Sequence, residues 1–192
     1  VPIRNIKNVA ERIKTYLQVG QIVVDVCSVK EMSYQVLNET FKDIGVHIWA
    51  THPMFGPDST KNGFKGLVWV SCDDEAIKDL IDPYISYLKE RGLTIYRTTC
   101  EEHDRTVATT QGLTHLIGRY LDKLQLAPSP IDTLGYRRLL AVRDQTCNDT
   151  WELFYDLQKN NRFSSEVYRS LNKAICDVTL KLYDNHYDVE KK

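Results

Sequence analysis

VHIWATHPMFGPDSTKNGFKG, residues 46–66, sets the architecture of the chain. Val46 to Ala50 is an apolar run that reads as a buried strand. The run breaks at Thr51-His52-Pro53. A polar loop with Asp58, Ser59, Thr60 and Lys61 follows, and Leu67-Val68-Trp69-Val70 resumes the apolar pattern. In an open α/β sheet, ligands sit past the carboxyl ends of strands, so a histidine one step beyond such an end is placed for chemistry. Pro53 removes a backbone donor and biases His52 toward an extended conformation, and Gly56 permits a close turn. An ordinary strand-to-loop corner with a surface histidine would give the same pattern.

Outward from this stretch, helices and strands alternate. Upstream, Ile22-Val23-Val24-Asp25-Val26 is a short β-branched run suited to a buried parallel strand. Ser28 follows it, and residues 30–42 carry a helical stripe of Met32, Val36, Leu37 and Phe41 that Gly45 ends. Residues 5–18 place Ile6, Val9, Ala10, Ile13 and Leu17 on one helical face, with Gly20 as the stop. Val1-Pro2-Ile3 reads as the tail of a strand. Downstream come a strand at 67–71, a helix capped by Asp73 or Asp74 and running to about Arg91, and a strand at Thr94-Ile95-Tyr96. Residues 1–98 are therefore expected to be α/β with a mostly parallel sheet.

The pattern changes at residue 99. Residues 101–125, 132–158 and 163–184 carry helical spacing and no strand signal, with a break at Ala127-Pro128-Ser129-Pro130. Val167, Leu171, Ala174, Ile175, Val178 and Leu182 form one continuous stripe, and the charged residues Asp188 to Lys192 are expected to fray. The nine glycines are dispersed, with no GxGxxG and no GxxxxGK[ST]. The fold expected is α/β plus all-α: a partial doubly wound, Rossmann-like sheet lacking its first half (1–98), then a helical domain (99–192).

Composition narrows the function classes. A chain of 192 residues can bury a sizeable core. Its 25 basic and 26 acidic residues leave a net charge of −1, which points to neither nucleic acid nor a membrane surface. The apolar runs are too short to span a bilayer, and VPIRNIKNVAERIK lacks the apolar core of a signal peptide. Five scattered cysteines without a CxxC pair disfavour structural zinc and suit a reducing compartment.

Three clusters could carry chemistry. Ser28 and His52 follow the ends of neighbouring strands, which lie about 5 Å apart, so a hydroxyl could orient a histidine base; Ser28 could equally cap the next helix. In EEHDRTVATTQGLTHLIGR (101–119), His103 and His115 can share a helical face, and Gln111, His115 and Arg119 are successive i, i+4 neighbours. That face could also be the wet side of a helix, and its spacing does not support a metal. In GYRRLLAVRDQTCNDTWELF (135–154), Arg137, Arg138, Arg143, Asp144 and Asp149 fall on an expected helix. Its arginines suit a carboxylate if they face a cleft and are a solvated stripe if they face water.

DVCSVK at 25–30, THPMFGPDS at 51–59, EEHDRTVATTQGLTHLIGR and the 135–158 helix together resemble the prephenate/arogenate dehydrogenase family of tyrosine biosynthesis, most of all its plant-type arogenate branch. The resemblance implies oxidative decarboxylation of a cyclohexadienol, with hydride passing to NADP or NAD. It implies that His52 takes the C4 hydroxyl proton and that Ser28 orients His52. Asp58, Gln111, His115, Arg143 and Asp149 would lie on the substrate side, with Arg143 on the carboxylate and Asp149 on the ammonium of arogenate. Pro2, Ile3 and Ser28 would lie against the cofactor. It further implies a homodimer through the helical domain and a cytoplasmic location, or a plastid one for a plant-like source. The upstream Gly-rich turn of the family is not in this sequence. A cofactor-free dimerisation or binding protein descended from the enzyme therefore stays open, as does another two-domain hydroxy-acid dehydrogenase.

Overall fold

A computed structural model describes residues 1–72 and 74–183, apart from the side chains of Pro57 and Asp58. Four strands form one sheet in the order β1 (Ile22–Asp25), β2 (His47–Pro53), β3 (Val68–Cys72), β4 (Thr94–Thr98). β1 and β2 run parallel, as do β3 and β4, while β2 and β3 are antiparallel. The sheet is thus mostly parallel, as expected. The one reversal follows from residues 54–67, which turn the chain back without the crossover helix that a parallel neighbour needs.

Helices α1 (Ile6–Ile13) and α2 (Lys30–Phe41) lie on one face of the sheet and α3 (Lys78–Glu90) on the other. Alternation along β2 decides this: Ile48 joins Ile6, Ala10, Leu37 and Phe41, whereas Trp49 joins Ile77, Ile81 and Ile85. Every described strand ends by Thr98, and the rest is helical: α4 (Cys100–Val107), α5 (Leu113–Lys123), α6 (Leu134–Cys147), α7 (Trp151–Asn160) and α8 (Ser164–Tyr183). None of the described helices is long and apolar enough to cross a membrane.

Four local expectations change. Val1-Pro2-Ile3 is not a strand: Ile3 opens a 3-10 turn and its side chain enters the core beside Ile6. His52 lies inside β2, not beyond it, in register with Val70; Pro53 is tolerated because it closes the strand. The expected helix over 101–125 is interrupted by a π segment, Ala108–Gly112, which widens one turn between α4 and α5. The expected helix over 132–158 breaks at Asn148-Asp149-Thr150, because the Thr150 hydroxyl accepts the Leu153 N–H (3.2 Å) and starts α7 afresh.

Candidate active site

The polar interior of the sheet is built around Lys30, which is 0% exposed. Its ammonium donates to the Asp25 carboxylate (2.5 Å) and to the Thr51 carbonyl (2.5 Å), and the Ser33 hydroxyl reaches the same Asp25 oxygen (2.5 Å). Burial alone would raise the Asp25 carboxyl. Lys30, Ser33 and the Cys27 N–H together outweigh it and hold that carboxyl below its ordinary value.

Next to this pair stands His52, buried at 4% exposure. Its Nδ1 is 2.9 Å from His103 Nε2, with the two rings edge to face. The His103 Nδ1 is in turn 2.7 Å from Asp104 Oδ1. Asp104 also accepts the backbone N–H groups of Lys30 (2.7 Å) and Glu31 (2.9 Å), so it caps α2 from a distance in sequence. Burial, then the charges of His103 and Lys30, push the His52 imidazole down to about 3, against an opposing pull from Asp25. His52 is thus a neutral base at physiological pH. A pocket of about 300 Å³, lined by Met54, Val70, Tyr96, His103, Thr106 and Thr110, opens beside His103.

The hydrogen bond expected between Ser28 and His52 is not made. Ser28 is half-buried and forms no hydrogen bond among the described residues; nor does it cap α2, a task taken by Asp104. His52 Nδ1 is held by His103 instead. Of the residues expected at the cofactor, Pro2 is exposed and Ile3 is committed to the core at 4% exposure. The side chain of Asp58 lies outside the described residues.

A second polar cluster forms where α5 meets the turn between α6 and α7. His115 Nδ1 is 3.7 Å from Asp149 Oδ2, and burial holds the His115 imidazole below its usual range despite that carboxylate. Arg119, 6% exposed, stacks on Trp151 (4.4 Å) and donates to the Asp149 carbonyl (2.5 Å). Gln111 Oε1 and Arg119 Nε are buried with no partner among the described residues. His115 and Asp149 are thus brought together. Arg143 does not join them: its guanidinium is occupied by Asp144 (2.6 Å) and the Leu126 carbonyl, so its fork is not open to a ligand carboxylate. His103 and His115, expected on a common face, engage different partners across the intervening π segment.

Residues 1–97 match the family model described as the nucleotide-binding domain of prephenate dehydrogenase, and residues 120–192 match a TYRAAT1-like C-terminal domain. The chain belongs to the prephenate/arogenate dehydrogenase family. It is 33% identical over 172 residues to arogenate dehydrogenase 1, chloroplastic, of Arabidopsis thaliana, covering 87% of this chain and 27% of that protein. To arogenate dehydrogenase 2, chloroplastic, of the same plant it is 32% identical over 181 residues, covering 92% and 50%. The chain therefore spans half or less of the length of these curated relatives. The crystal structure of Synechocystis arogenate dehydrogenase shares the fold, with a TM-score of 0.66 and 21% identity over 95% of this chain and 70% of that one.

Within this family member, sequence reasoning passed over Lys30, Asp25 and Asp104 as site residues, and it set His103 beside His115 where the structure sets it against His52. Lys30 sits in what reads as a polar helix start, and its burial has no local sign. The Glu101-Glu102-His103-Asp104 run reads as a solvated first turn, and only His103 and Asp104 of the four are buried. A Thr99 hydroxyl that accepts the Glu102 N–H (3.1 Å) fixes where the helix starts, and that start aims the His-Asp pair inward.

Proposed function

We propose that this protein acts as an arogenate or prephenate dehydrogenase, in which His52 removes the C4 hydroxyl proton of a cyclohexadienol. The observation that carries the reading is a buried, neutral imidazole anchored through Nδ1, whose Nε2 has no partner among the described residues. A bound NADP or NAD supplies the hydride acceptor at C4, while loss of carbon dioxide from C1 makes the ring aromatic. The chain itself positions and deprotonates. Asp149 beside His115 suits an ammonium and favours arogenate over prephenate. The Arg119 guanidinium, whose Nε is buried without a partner among the described residues, suits the carboxylate better than that of Arg143, which Asp144 and the Leu126 carbonyl hold.

The described residues fit only one end of such a cofactor. Ser28 and His52 lie at the carboxyl ends of adjacent parallel strands, where a nicotinamide ring would be met. The N-terminal N–H groups of α2 are already taken by Asp104, and the described residues include no glycine-rich turn between strand and helix, so these residues are assigned no phosphate contact. Residues 1–98 form the nucleotide-binding part in this reading and 99–192 the substrate and dimer part. The homodimer forms through α8, whose Ile175, Val178 and Leu182 are exposed at 48%, 63% and 80%. Five free cysteines suit the reducing cytoplasm or plastid stroma.

The test is reduction of NADP and NAD by arogenate and by prephenate, followed through the absorbance of the reduced nicotinamide. His52→Asn should lower kcat by about 10²–10⁴-fold with the fold intact. Turnover that survives this substitution overturns the assignment. The exposed α8 face also favours a second reading, a cofactor-free binding or dimerisation protein. A dimer that quenches no tryptophan fluorescence with NADP, NAD or substrate would establish it.

A further inference from the structure

We infer that His103 and Asp104 complete a proton relay with His52, in which the charge gained on deprotonating the substrate is carried by His103 and not by His52. The inference rests on the dehydrogenase reading for the identity of the proton donor.

The tautomers follow from the contacts. Asp104 already receives two backbone N–H groups at the amino end of α2, the place where an ionised carboxylate is favoured. A carboxylate only accepts, so its third contact, at 2.7 Å, is a donation from His103 Nδ1–H. In neutral His103 the lone pair is then on Nε2. The 2.9 Å contact to His52 needs one proton between the two nitrogens, and that proton belongs to His52 Nδ1. His52 Nε2 therefore carries a lone pair. This is the logic by which a carboxylate fixes the tautomer of a catalytic histidine, extended by one ring.

Proton uptake then has a definite course. A proton enters at His52 Nε2, the Nδ1 proton passes to His103 Nε2, and no electrons are exchanged. His52 ends neutral, protonated on Nε2. His103 ends as an imidazolium held against Asp104. Around His52 the charged groups argue for this outcome. Lys30 on α2 is a buried cation, Asp25 on β1 is bound to Lys30, and His103 on α4 faces the ring directly. A positive charge left on His52 would have no free carboxylate to meet, whereas on His103 it meets one at 2.7 Å.

The test is long-range ¹H–¹⁵N correlation of the chain labelled at its five histidines. At neutral pH the His52 signal should be that of an Nδ1–H imidazole. On acidification the first proton taken up by the pair should convert His52 to the Nε2–H form while both His103 nitrogens become protonated. His103→Phe keeps an aromatic ring, though a larger one, and removes the acceptor, so His52 should lose its single tautomer. An Nε2–H form of His52 at neutral pH, a doubly protonated His52 ahead of His103, or an unchanged tautomer in the variant would each overturn the relay. With substrate, His103→Phe should lower kcat by about 10²-fold and leave KM unchanged; a rise in KM alone would assign His103 to binding. These spectra need no turnover. A chain that shows the tautomer exchange but oxidises neither arogenate nor prephenate would refute the enzyme reading and keep the relay.

Discussion

The ammonium of Lys30 and the carboxylate of Asp25 are 2.5 Å apart, with side-chain exposures of 0% and 2%. Such a pair adds little over an apolar pair of the same shape, because desolvation offsets the attraction, but losing one partner strands a buried charge. Lys30→Met should cost about 3–5 kcal/mol in urea denaturation at neutral pH, and Asp25→Asn added to it should recover most of that loss. Asp25 is held below its ordinary 3.8. Its stabilisation is therefore complete above that value and drains as pH falls through the lower folded one. The gap between wild type and Lys30→Met should accordingly narrow in acid.

His52 gives the molecule a second acid sensitivity. The unfolded imidazole takes up its proton near 6.5, and in the fold this is pushed down to about 3. A depressed folded value means that the stabilisation is present above 6.5 and is lost as pH falls toward 3. Denaturation midpoints should decline through that window, by at most about 1.4 kcal/mol per pH unit from this one group. His52→Phe should flatten the decline.

Thiol reactivity should separate neighbours. The Cys72 S–H donates to Cys100, which raises the Cys72 thiol and, against the cost of burial, lowers that of Cys100. Burial, then the charge of Asp25, pushes Cys27 up to about 12. Limited alkylation with iodoacetamide at neutral pH, mapped by peptide mass spectrometry, should label Cys100 and the exposed Cys176 well before Cys72 or Cys27. Labelling of Cys72 ahead of Cys100 would contradict the bond.

Gly118 lets α5 and α6 approach. A Cβ added there would lie 1.8 Å from Thr146 Oγ1 and 2.9 Å from its Cβ. Gly118→Ala should lower stability by about 1–3 kcal/mol or more in thermal melts. Adding Thr146→Ala removes the worse of the two contacts and leaves the other, so recovery should be partial.

Much of the α/β half was legible because its pattern is local. The stripe over 30–42 and the β-branched run at 22–26 each point to one element, and both formed. β2 runs three residues past its apolar stretch, to Pro53, for a non-local reason. Thr51 and His52 look like loop residues, but the Thr51 hydroxyl donates to the Asp25 carbonyl (2.8 Å) and its own carbonyl receives Lys30, so their polarity is satisfied inside the sheet. Strand spacing makes Ser28 the natural partner of His52. The actual partner is 51 residues further on and arrives on a helix. The π segment and the restart at Thr150 similarly redirected Gln111, His115 and Asp149, because one added residue in a turn rotates everything after it. The spacing of Arg143 along α6 does not reveal that the 124–133 connection folds back, so that the Leu126 carbonyl meets its guanidinium.

Asp104 receives α2 through its carboxylate, while its main-chain carbonyl accepts Asn161 Nδ2 at 2.7 Å, just past the end of α7. Three helices are thereby bolted through one residue with no exposed surface. A hinge across this point would have to break all three bonds at once, so the sheet and the first helices after it should breathe as one block. Any motion that admits a ligand falls to segments outside the bolt, and the amides of Lys30 and Glu31 should be among the last to exchange with deuterium.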